Sequence, residues 1–300
     1  MGESRMRGVF PILVTPFDLE GRIDEDSLQS LVDYNIAAGV HGLGVAIGSE
    51  MFKFTEAERA LVTKTAIERV NRRAPVVINT GAGGTDVAVS YSRAAEALGA
   101  DALMIIPPAF LPAGPAEVVD YYRRISDAVT IPIFLQDTPA APIPPALARR
   151  ISEDCERVRY IKVETLPVVP KVADMAANGG DRLTIFGGAG GSYFIEEMRR
   201  GSQGTMPFCS QPAAFVEVWN AFQAGDELKS RAAFDRQIMA VNRLAAQGGD
   251  VFYHVHKRLL VRLGVIRHAT VRSPTTPVDP ITAREIDELV DEVTGQRDYR

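Results

Sequence analysis

The chain has 300 residues, of which 46% are apolar, and its formal net charge is -5. A chain of this size and composition can bury a large core, as one big domain or two smaller ones. Its basic residues are scattered rather than clustered, which excludes a surface built for nucleic acid or an anionic membrane and favours a small molecule as partner.

Two cysteines and the N-terminal residues indicate the compartment. Cys155 and Cys209 have no partner at metal-binding spacing and cannot form a disulfide framework, so we expect two buried, reduced side chains. The N-terminus has no apolar signal core, and the most apolar stretch, residues 100–114, is short and interrupted by prolines. The sequence therefore predicts a soluble, unprocessed cytoplasmic protein.

Eight short runs of β-forming residues recur along the first 225 residues, and helix-like segments separate them. In chain order they are VFPILV (9–14), GLGVA (42–46), PVVINT (75–80), ALMII (102–106), PIFLQ (132–136), RYIKVE (159–164), LTIFG (183–187) and GTMPF (204–208). This alternation is typical of a parallel α/β protein.

Helix starts between these runs are well marked. Thr55 and Glu58 form a capping-box pattern, and Pro115 and Pro144 stand where a first helical turn would begin. Eight βα units predict an α/β fold of the (β/α)8 TIM barrel type, with residues 1–225 as the catalytic domain. The main alternative is a doubly wound sheet, but no G-x-G-x-x-G motif follows the first run.

Residues 226–300 contain no further strand pattern. Three helical stretches are predicted there, around 226–247, 251–263 and 282–295, the last opened by Thr282 with Glu285. The segment RSPTTPVDP (272–280) between the last two indicates a stiff surface connection. We interpret this region as a C-terminal three-helix extension of the barrel.

Barrel enzymes carry their active sites at the C-terminal ends of the strands, so polar residues there are the candidate site residues. Reading those ends in order gives Thr15, the segment Gly48, Ser49 and Glu50, then Thr80, Phe110 in the loop PPAFLP, Gln136 with Asp137, Lys162 with Glu164, and Gly187 in the segment GGAGG.

Lys162 stands within a run of β-formers, where side chains alternate between two faces. Tyr160, Lys162 and Glu164 share one face, while Ile161 and Val163 share the other, which should pack against helices. Lys162 then points into the barrel, where burial disfavours the ammonium form and a neutral amine can form an imine with a ketone. The alternative is an ordinary ion pair of Lys162 with Glu164, near the barrel mouth or turned to solvent.

Four motifs resemble the dihydrodipicolinate synthase and N-acetylneuraminate lyase superfamily of Schiff-base barrels, and the similarity spans the whole chain. They are ILVTPF (12–17), GSE (48–50), NTGAGGTDVAV (79–89) and YIKVET (160–165). The resemblance implies that Lys162 is the imine-forming lysine and that Gly48 and Ser49 hold the carboxylate of a 2-oxo acid. It also implies that Met206 lines the same pocket through its backbone, and that the protein is a homotetramer or a dimer.

Departures from the superfamily pattern bear on the reaction. Members that make or break C–C bonds use a tyrosine at the end of strand five, where this chain has Gln136. Their threonine pair aligns with Ile47 and Gly48, and their double-tyrosine loop with PPAFLP. The motifs GSEMF (48–52), LQDTP (135–139) and IKVET (161–165) resemble instead the branch of 2-keto-3-deoxy-L-arabonate dehydratases.

The leading hypothesis is a cofactor-free lyase that dehydrates a 2-keto-3-deoxy sugar acid through an imine on Lys162. Glu164 is assigned proton transfer, since two residues along a strand span about 6.6 Å, and Gln136 is assigned the departing hydroxyl. The alternatives are an aldolase of the same fold that releases pyruvate, or an enzyme like dihydrodipicolinate synthase. A barrel that binds a 2-oxo acid without turnover is the alternative from another class.

Two smaller signals have ordinary explanations. His254 and His256 are two residues apart in a predicted helix and so point in different directions, which argues against a metal site. The GGAGG glycines could cradle a phosphate at a helix start, but with no lysine or arginine nearby we interpret them as a turn beside a crowded substrate. The loop PPAFLP is expected to form a stiff apolar wall, with Phe110 lining it.

Overall fold

A computed structural model of the chain describes residues 5–111 and 113–295. Each of its eight β-strands overlaps one of the eight predicted runs. They span Gly8–Val9 (β1), Leu43–Val45 (β2), Val76–Asn79 (β3), Ala102–Ile105 (β4), Ile133–Asp137 (β5), Val158–Val163 (β6), Thr184–Gly187 (β7) and Gly204–Thr205 (β8).

All strand pairs are parallel, in the order β1-β8-β7-β6-β5-β4-β3-β2. The two ends of this order meet, because the N–H of His41, just before β2, donates to the carbonyl of Val9 in β1 at 2.9 Å. The strands thus form the predicted (β/α)8 barrel.

The described residues form twelve α-helices, eight of them following the strands in sequence. They are Glu25–Ala37 (α1), Glu56–Val70 (α2), Thr85–Ala97 (α3), Pro115–Ser126 (α4), Pro145–Asp154 (α5), Val168–Asn178 (α6), Phe194–Met198 (α7), Pro212–Gln223 (α8), Glu227–Gln237 (α9), Met239–Ala245 (α10), Val251–Arg262 (α11) and Pro280–Val293 (α12). None of them combines the length and the apolar character needed to cross a membrane.

The described residues divide into two compact units. The first lies within residues 1–10, 41–46 and 74–207 and contains all eight strands with helices α3 to α7. The second lies within residues 11–40, 47–73 and 208–300 and contains the other helices. A boundary between a catalytic domain and an extension at residue 225 stays a prediction.

Strands β1 and β8 are shorter than their sequence runs. The run 9–14 contains Pro11 and the run 204–208 contains Pro207, and neither proline has an N–H to offer a neighbouring strand. Beyond the two prolines the pairing resumes only as one bridge between Ile12 and Phe208.

Aromatic rings fill part of the barrel interior. Phe134 of β5 stacks on Tyr160 of β6 at 4.3 Å between ring centroids, and Phe186 of β7 contacts both rings edge-on. Phe10, directly after β1, meets Phe186 at 5.3 Å. Rings from strands that are not neighbours can meet in this way only in the barrel interior, which fixes the inward face of β6.

Two helix starts test the predicted caps. Thr55 and Glu58 form the predicted capping box of α2. The last helix, however, is capped by Asp279, whose carboxylate accepts from the N–H groups of Ile281 and Thr282. The predicted start at Thr282 is wrong, because Asp279 followed by Pro280 provides an N-cap and a proline in the first turn one turn earlier.

The first predicted helical stretch of the C-terminal region is two helices, α9 and α10, which break at Ile238. Four helices therefore follow residue 225 in the part of the chain that the structure describes, rather than three. Helices α10, α11 and α12 share an apolar core that includes Val241, Leu259 and Ile286. Cys155 and Cys209 are buried and free, as predicted.

Candidate active site

Lys162 lies on the inward face of β6, as strand alternation predicts. Its register partners are Gln136 of β5 and Phe186 of β7, and the residue is 5% exposed. The ammonium nitrogen Nζ is 2.9 Å from Oε1 of Glu164, which follows β6 directly. A buried lysine and a carboxylate in contact can exchange a proton without a bridging group.

Backbone groups on two sides hold Glu164. Its N–H donates to the carbonyl and the carboxylate of Asp137, at 3.0 and 3.2 Å, and its Oε1 accepts from the N–H of Ala189 at 3.3 Å. A Cβ atom at Gly188 would lie 2.2 Å from Cγ of Glu164. The glycines after β7 therefore let the backbone pass close to Glu164, in line with the turn expected for GGAGG.

A second amide completes the polar cluster. Gln136 donates from Nε2 to Oε2 of Glu164 at 3.3 Å, and its Oε1 accepts from Nδ2 of Asn79 on β3 at 3.1 Å. Gln136 and Asn79 are 2% and 5% exposed. We call the four side chains Asn79, Gln136, Lys162 and Glu164 the inner network. Asn79 was not expected from the sequence, although it is a polar residue within a run of β-formers, as Lys162 is.

Asp137, next to Gln136 in sequence, lies in an environment different from that of the inner network. Its buried carboxylate accepts from the N–H groups of Ile143, Glu164 and Thr165 and from the Thr165 hydroxyl, and it forms an ion pair of 2.6 Å with Lys171. These contacts tie together the segments after β5 and β6. Asp137 thus positions the backbone on which Glu164 stands.

The other candidate residues of the first unit make contacts outside the inner network. The Thr80 hydroxyl is 2.9 Å from that of Ser92 on α3, so it faces the helices rather than the inner network. The N–H of Met206 donates to the carbonyl of Gly187 at 3.0 Å, beside the end of β7. Phe110 is 97% exposed in its loop, and Pro112 of the same predicted wall lies outside the described residues.

In the second unit, the structure brings together Thr15 and Ser49. The Thr15 hydroxyl donates to the Ser49 carbonyl at 2.7 Å, and the Ser49 hydroxyl donates to the carbonyl of Leu13. Both side chains are buried. A Cβ atom at Gly48 would lie 3.0 Å from the side chains of Ile12 and Phe208, so the loop is closely packed there.

Glu50 is wholly buried in a charged cluster of the second unit. Its carboxylate pairs with Lys257 of α11 and with Lys53 at 3.1 Å, and it accepts from the N–H of Arg272 at 3.1 Å. Tyr253, one turn before Lys257, donates from its hydroxyl to the carbonyl of Ile47 at 2.7 Å. Helix α11 therefore fixes both ends of the short 47–50 segment.

Glu197 on α7 is a second acidic residue that the sequence did not single out. It is fully buried, and neither carboxylate oxygen has a hydrogen-bond partner among the described residues. A Cβ atom at Gly187 would overlap this carboxyl group, which therefore lies directly behind β7. Burial first, and then the charges of Glu164 and Glu196, raise the pKa of Glu197 to about 8, against the opposite effect of Lys162.

The two histidines of α11 make unrelated contacts. His254 is 3.0 Å from the Thr275 hydroxyl, and His256 is 2.7 Å from the Ser210 hydroxyl. Within residues 5–111 and 113–295 no group of three or more His, Cys, Asp or Glu side chains is arranged to hold a metal ion.

Comparisons with known proteins identify relatives of the chain. The model of the dihydrodipicolinate synthetase family matches residues 5–293. An L-2-keto-3-deoxyarabonate dehydratase of Azospirillum brasilense is 32% identical over 290 residues, which cover 94% of this chain and 93% of that protein. A putative 2-dehydro-3-deoxy-D-gluconate aldolase, YagE of Escherichia coli K12, is 26% identical over 91% of this chain and 92% of that protein.

Solved structures show the same fold. A dihydrodipicolinate synthase of Rhodopseudomonas palustris superposes with a TM-score of 0.87 at 27% identity, covering 95% of this chain and 97% of the other. The structure of YagE in complex with pyruvate gives a TM-score of 0.90 at 24% identity, with 97% and 99% covered.

Proposed function

Because the chain belongs to the dihydrodipicolinate synthetase family of class I Schiff-base lyases, we propose that it dehydrates a 2-keto-3-deoxy sugar acid similar to 2-keto-3-deoxy-L-arabonate. The observation that carries the proposal is the inner network, in which the Lys162 amine contacts Glu164 and a glutamine stands beside both. The product is a dehydrated oxo-acid semialdehyde.

The first step is formation of the imine. Lys162 gives up a proton to Glu164, 2.9 Å away, and the free amine attacks the C2 carbonyl of the substrate. The carbonyl oxygen takes one proton from the amine and the proton held by Glu164 and leaves as water, so a protonated imine between Nζ and C2 remains and Glu164 is again a carboxylate. The positive nitrogen then withdraws electrons from C3, which makes the C3 protons acidic.

The second step removes water from C3 and C4. Glu164 takes a proton from C3 to give the enamine and then gives it to the C4 hydroxyl, which leaves as water as a C3–C4 double bond forms. Gln136 uses one N–H for Glu164 and one carbonyl lone pair for Asn79, so one N–H and one lone pair stay available for the C4 hydroxyl. Movement of a proton from C5 to C3 converts the C3–C4 alkene into a C4–C5 enol, hydrolysis of the imine frees Lys162, and the enol tautomerises to the semialdehyde.

The remaining candidate residues are assigned to substrate holding and to support. The carboxylate is assigned to the backbone of Gly48 and Ser49, since the Ser49 hydroxyl donates to Leu13, and Thr15 supports Ser49 through its 2.7 Å hydrogen bond. Glu50, Asp137 and Thr80 have their polar atoms engaged within the protein and act by fixing the loops that carry the other residues. The backbone at Gly187 and Met206 and the exposed ring of Phe110 line the substrate.

An aldolase that releases pyruvate is the second candidate, supported by the similarity to YagE. Cleavage of the C3–C4 bond needs a base to take the proton of the C4 hydroxyl, and the amide of Gln136 cannot do so. Glu164 or a water molecule would have to replace the family tyrosine. A homo-oligomeric assembly and a cytoplasmic location remain predictions.

The test is product analysis with a panel of 2-keto-3-deoxy acids, combined with borohydride trapping of pyruvate. We expect a dehydrated semialdehyde, little pyruvate, and a covalent adduct at Lys162 that the Lys162→Ala variant lacks. Lys64→Ala is the matched control, since Lys64 is a lysine with a 57% exposed side chain. Pyruvate as the main product would instead support the aldolase, and trapping without any turnover would support a binding barrel.

A further inference from the structure

The hydrogen bonds of the inner network form a series in which each donor points towards Glu164 or towards Gln136. Asn79 and Gln136 come from β3 and β5, which β4 separates, so their 3.1 Å hydrogen bond crosses the barrel interior. Gln136 in turn donates a hydrogen bond to Glu164 at 3.3 Å, and Glu164 pairs with Lys162. Each link joins one donor to one acceptor.

The chemistry of the end group decides which way each amide points. A Glu164 carboxylate paired with Lys162 can only accept hydrogen bonds, so Gln136 must turn its NH2 group towards it. The Gln136 carbonyl then faces Asn79, and a buried carbonyl without a donor is costly. The NH2 group of Asn79 supplies that donor.

We propose that Asn79 is a positioning residue that, through Gln136, keeps an N–H donor aimed at the proton-transfer carboxylate of Glu164. This inference rests on the proposed function, since it assumes that Glu164 moves the C3 proton. Asn79 acts on the proton-transfer step, because its hydrogen bond to Gln136 orients the amide that donates to Glu164.

Two substitutions of similar size test whether the side chain at position 79 must donate a hydrogen bond. Asn79→Leu leaves the Gln136 carbonyl without its donor, so the amide is free to rotate. Asn79→Asp places an acceptor there, which attracts the Gln136 NH2 group and turns the Gln136 carbonyl towards Glu164. Both changes weaken the donor at Glu164, and the aspartate does so more strongly.

The assay uses pyruvate, whose C3 protons exchange with D2O only if an imine forms and a base then removes a proton. Borohydride trapping measures the imine alone. We expect Asn79→Leu to slow exchange about tenfold, the worth of one buried hydrogen bond, and Asn79→Asp to slow it further, while trapping at Lys162 is retained. Retained trapping also shows that each variant is folded.

A double-mutant cycle tests that Asn79 acts through Gln136. In a Gln136→Leu background there is no amide to orient, so Asn79→Leu should change exchange less than twofold there. Equal slowing in both backgrounds, or unchanged exchange in both Asn79 variants, would overturn the inference while leaving the imine mechanism intact. If the unaltered protein gives no adduct at Lys162 or no exchange, the proposed function fails, and this inference fails with it.

Discussion

Replacing Glu197 by glutamine should stabilise the protein at neutral and alkaline pH. The carboxyl group is fully buried behind β7, without a hydrogen-bond partner among the described residues. Glutamine keeps its shape but cannot ionise. The substitution therefore removes only the cost of holding an ionisable group in an apolar place.

The size of the effect follows from the pKa of Glu197, which burial raises from 4.5 to about 8. Between these two values the folded protein keeps a proton that the unfolded chain releases, so this group lowers the free energy of unfolding as pH rises. At 1.36 kcal/mol for each pKa unit, the loss is about 1 kcal/mol at pH 5, about 3 at pH 7 and about 4 at pH 8. Above pH 8 it approaches a limit of about 5 kcal/mol.

Denaturant unfolding of both proteins at pH 5, 6, 7 and 8 measures this directly. The advantage of Glu197→Gln should grow steadily over that range. Glu196→Gln, a partly buried neighbour on the same helix, should change stability by about 0.5 kcal/mol or less. A Glu197→Gln advantage that does not depend on pH, or a variant less stable at pH 8 than the unaltered protein, would refute the reasoning.

Three further predictions concern other parts of the chain. Lys257→Met should lower the free energy of unfolding by about 3 kcal/mol in denaturant titrations, because Glu50 keeps only Lys53 and the Arg272 N–H, whereas Lys64→Met on the exposed face of α2 should have little effect. Equal stability of the two variants would mean that the buried pair contributes nothing. Gln136→Tyr should abolish dehydration, measured by product analysis, and it should raise pyruvate release, because a phenol can take the C4 hydroxyl proton that an amide cannot. Abundant pyruvate from the unaltered enzyme would contradict this. Chelators should leave the rate of turnover unchanged, because the imine itself withdraws electrons from C3; a loss that zinc or magnesium restores would count against the mechanism.

The position of Lys162 could be predicted because its neighbours define two faces. Ile161 and Val163 are apolar, so the face of the lysine was fixed without knowledge of the strand ends. Strand three offers no such pattern at its end, where Asn79 and Thr80 are both polar. The sequence singled out Thr80, whereas Asn79 is the inward residue and Thr80 bonds Ser92.

Glu197 could not be recognised for a related reason. It follows Glu196 in a short helix, and two adjacent acidic residues resemble a solvated surface. Phe194 and Met198, three residues before it and one after it, do place it on an apolar helical face. That a glycine of β7 leaves room for its carboxyl group depends on tertiary packing, which no local pattern reports.

The unequal strands of the barrel have a consequence for its fluctuations. Five register pairs join β5 to β6 and four join β6 to β7, whereas β1 and β8 share two and β7 and β8 share one. Transient opening of the sheet costs least where the fewest backbone hydrogen bonds must break, so amide hydrogens of the short strands β1 and β8 should exchange with solvent first. Strands β1 and β8 can then separate transiently from their neighbours while β5 and β6, which carry Gln136 and Lys162, stay paired. This keeps the reactive amine in register with Gln136.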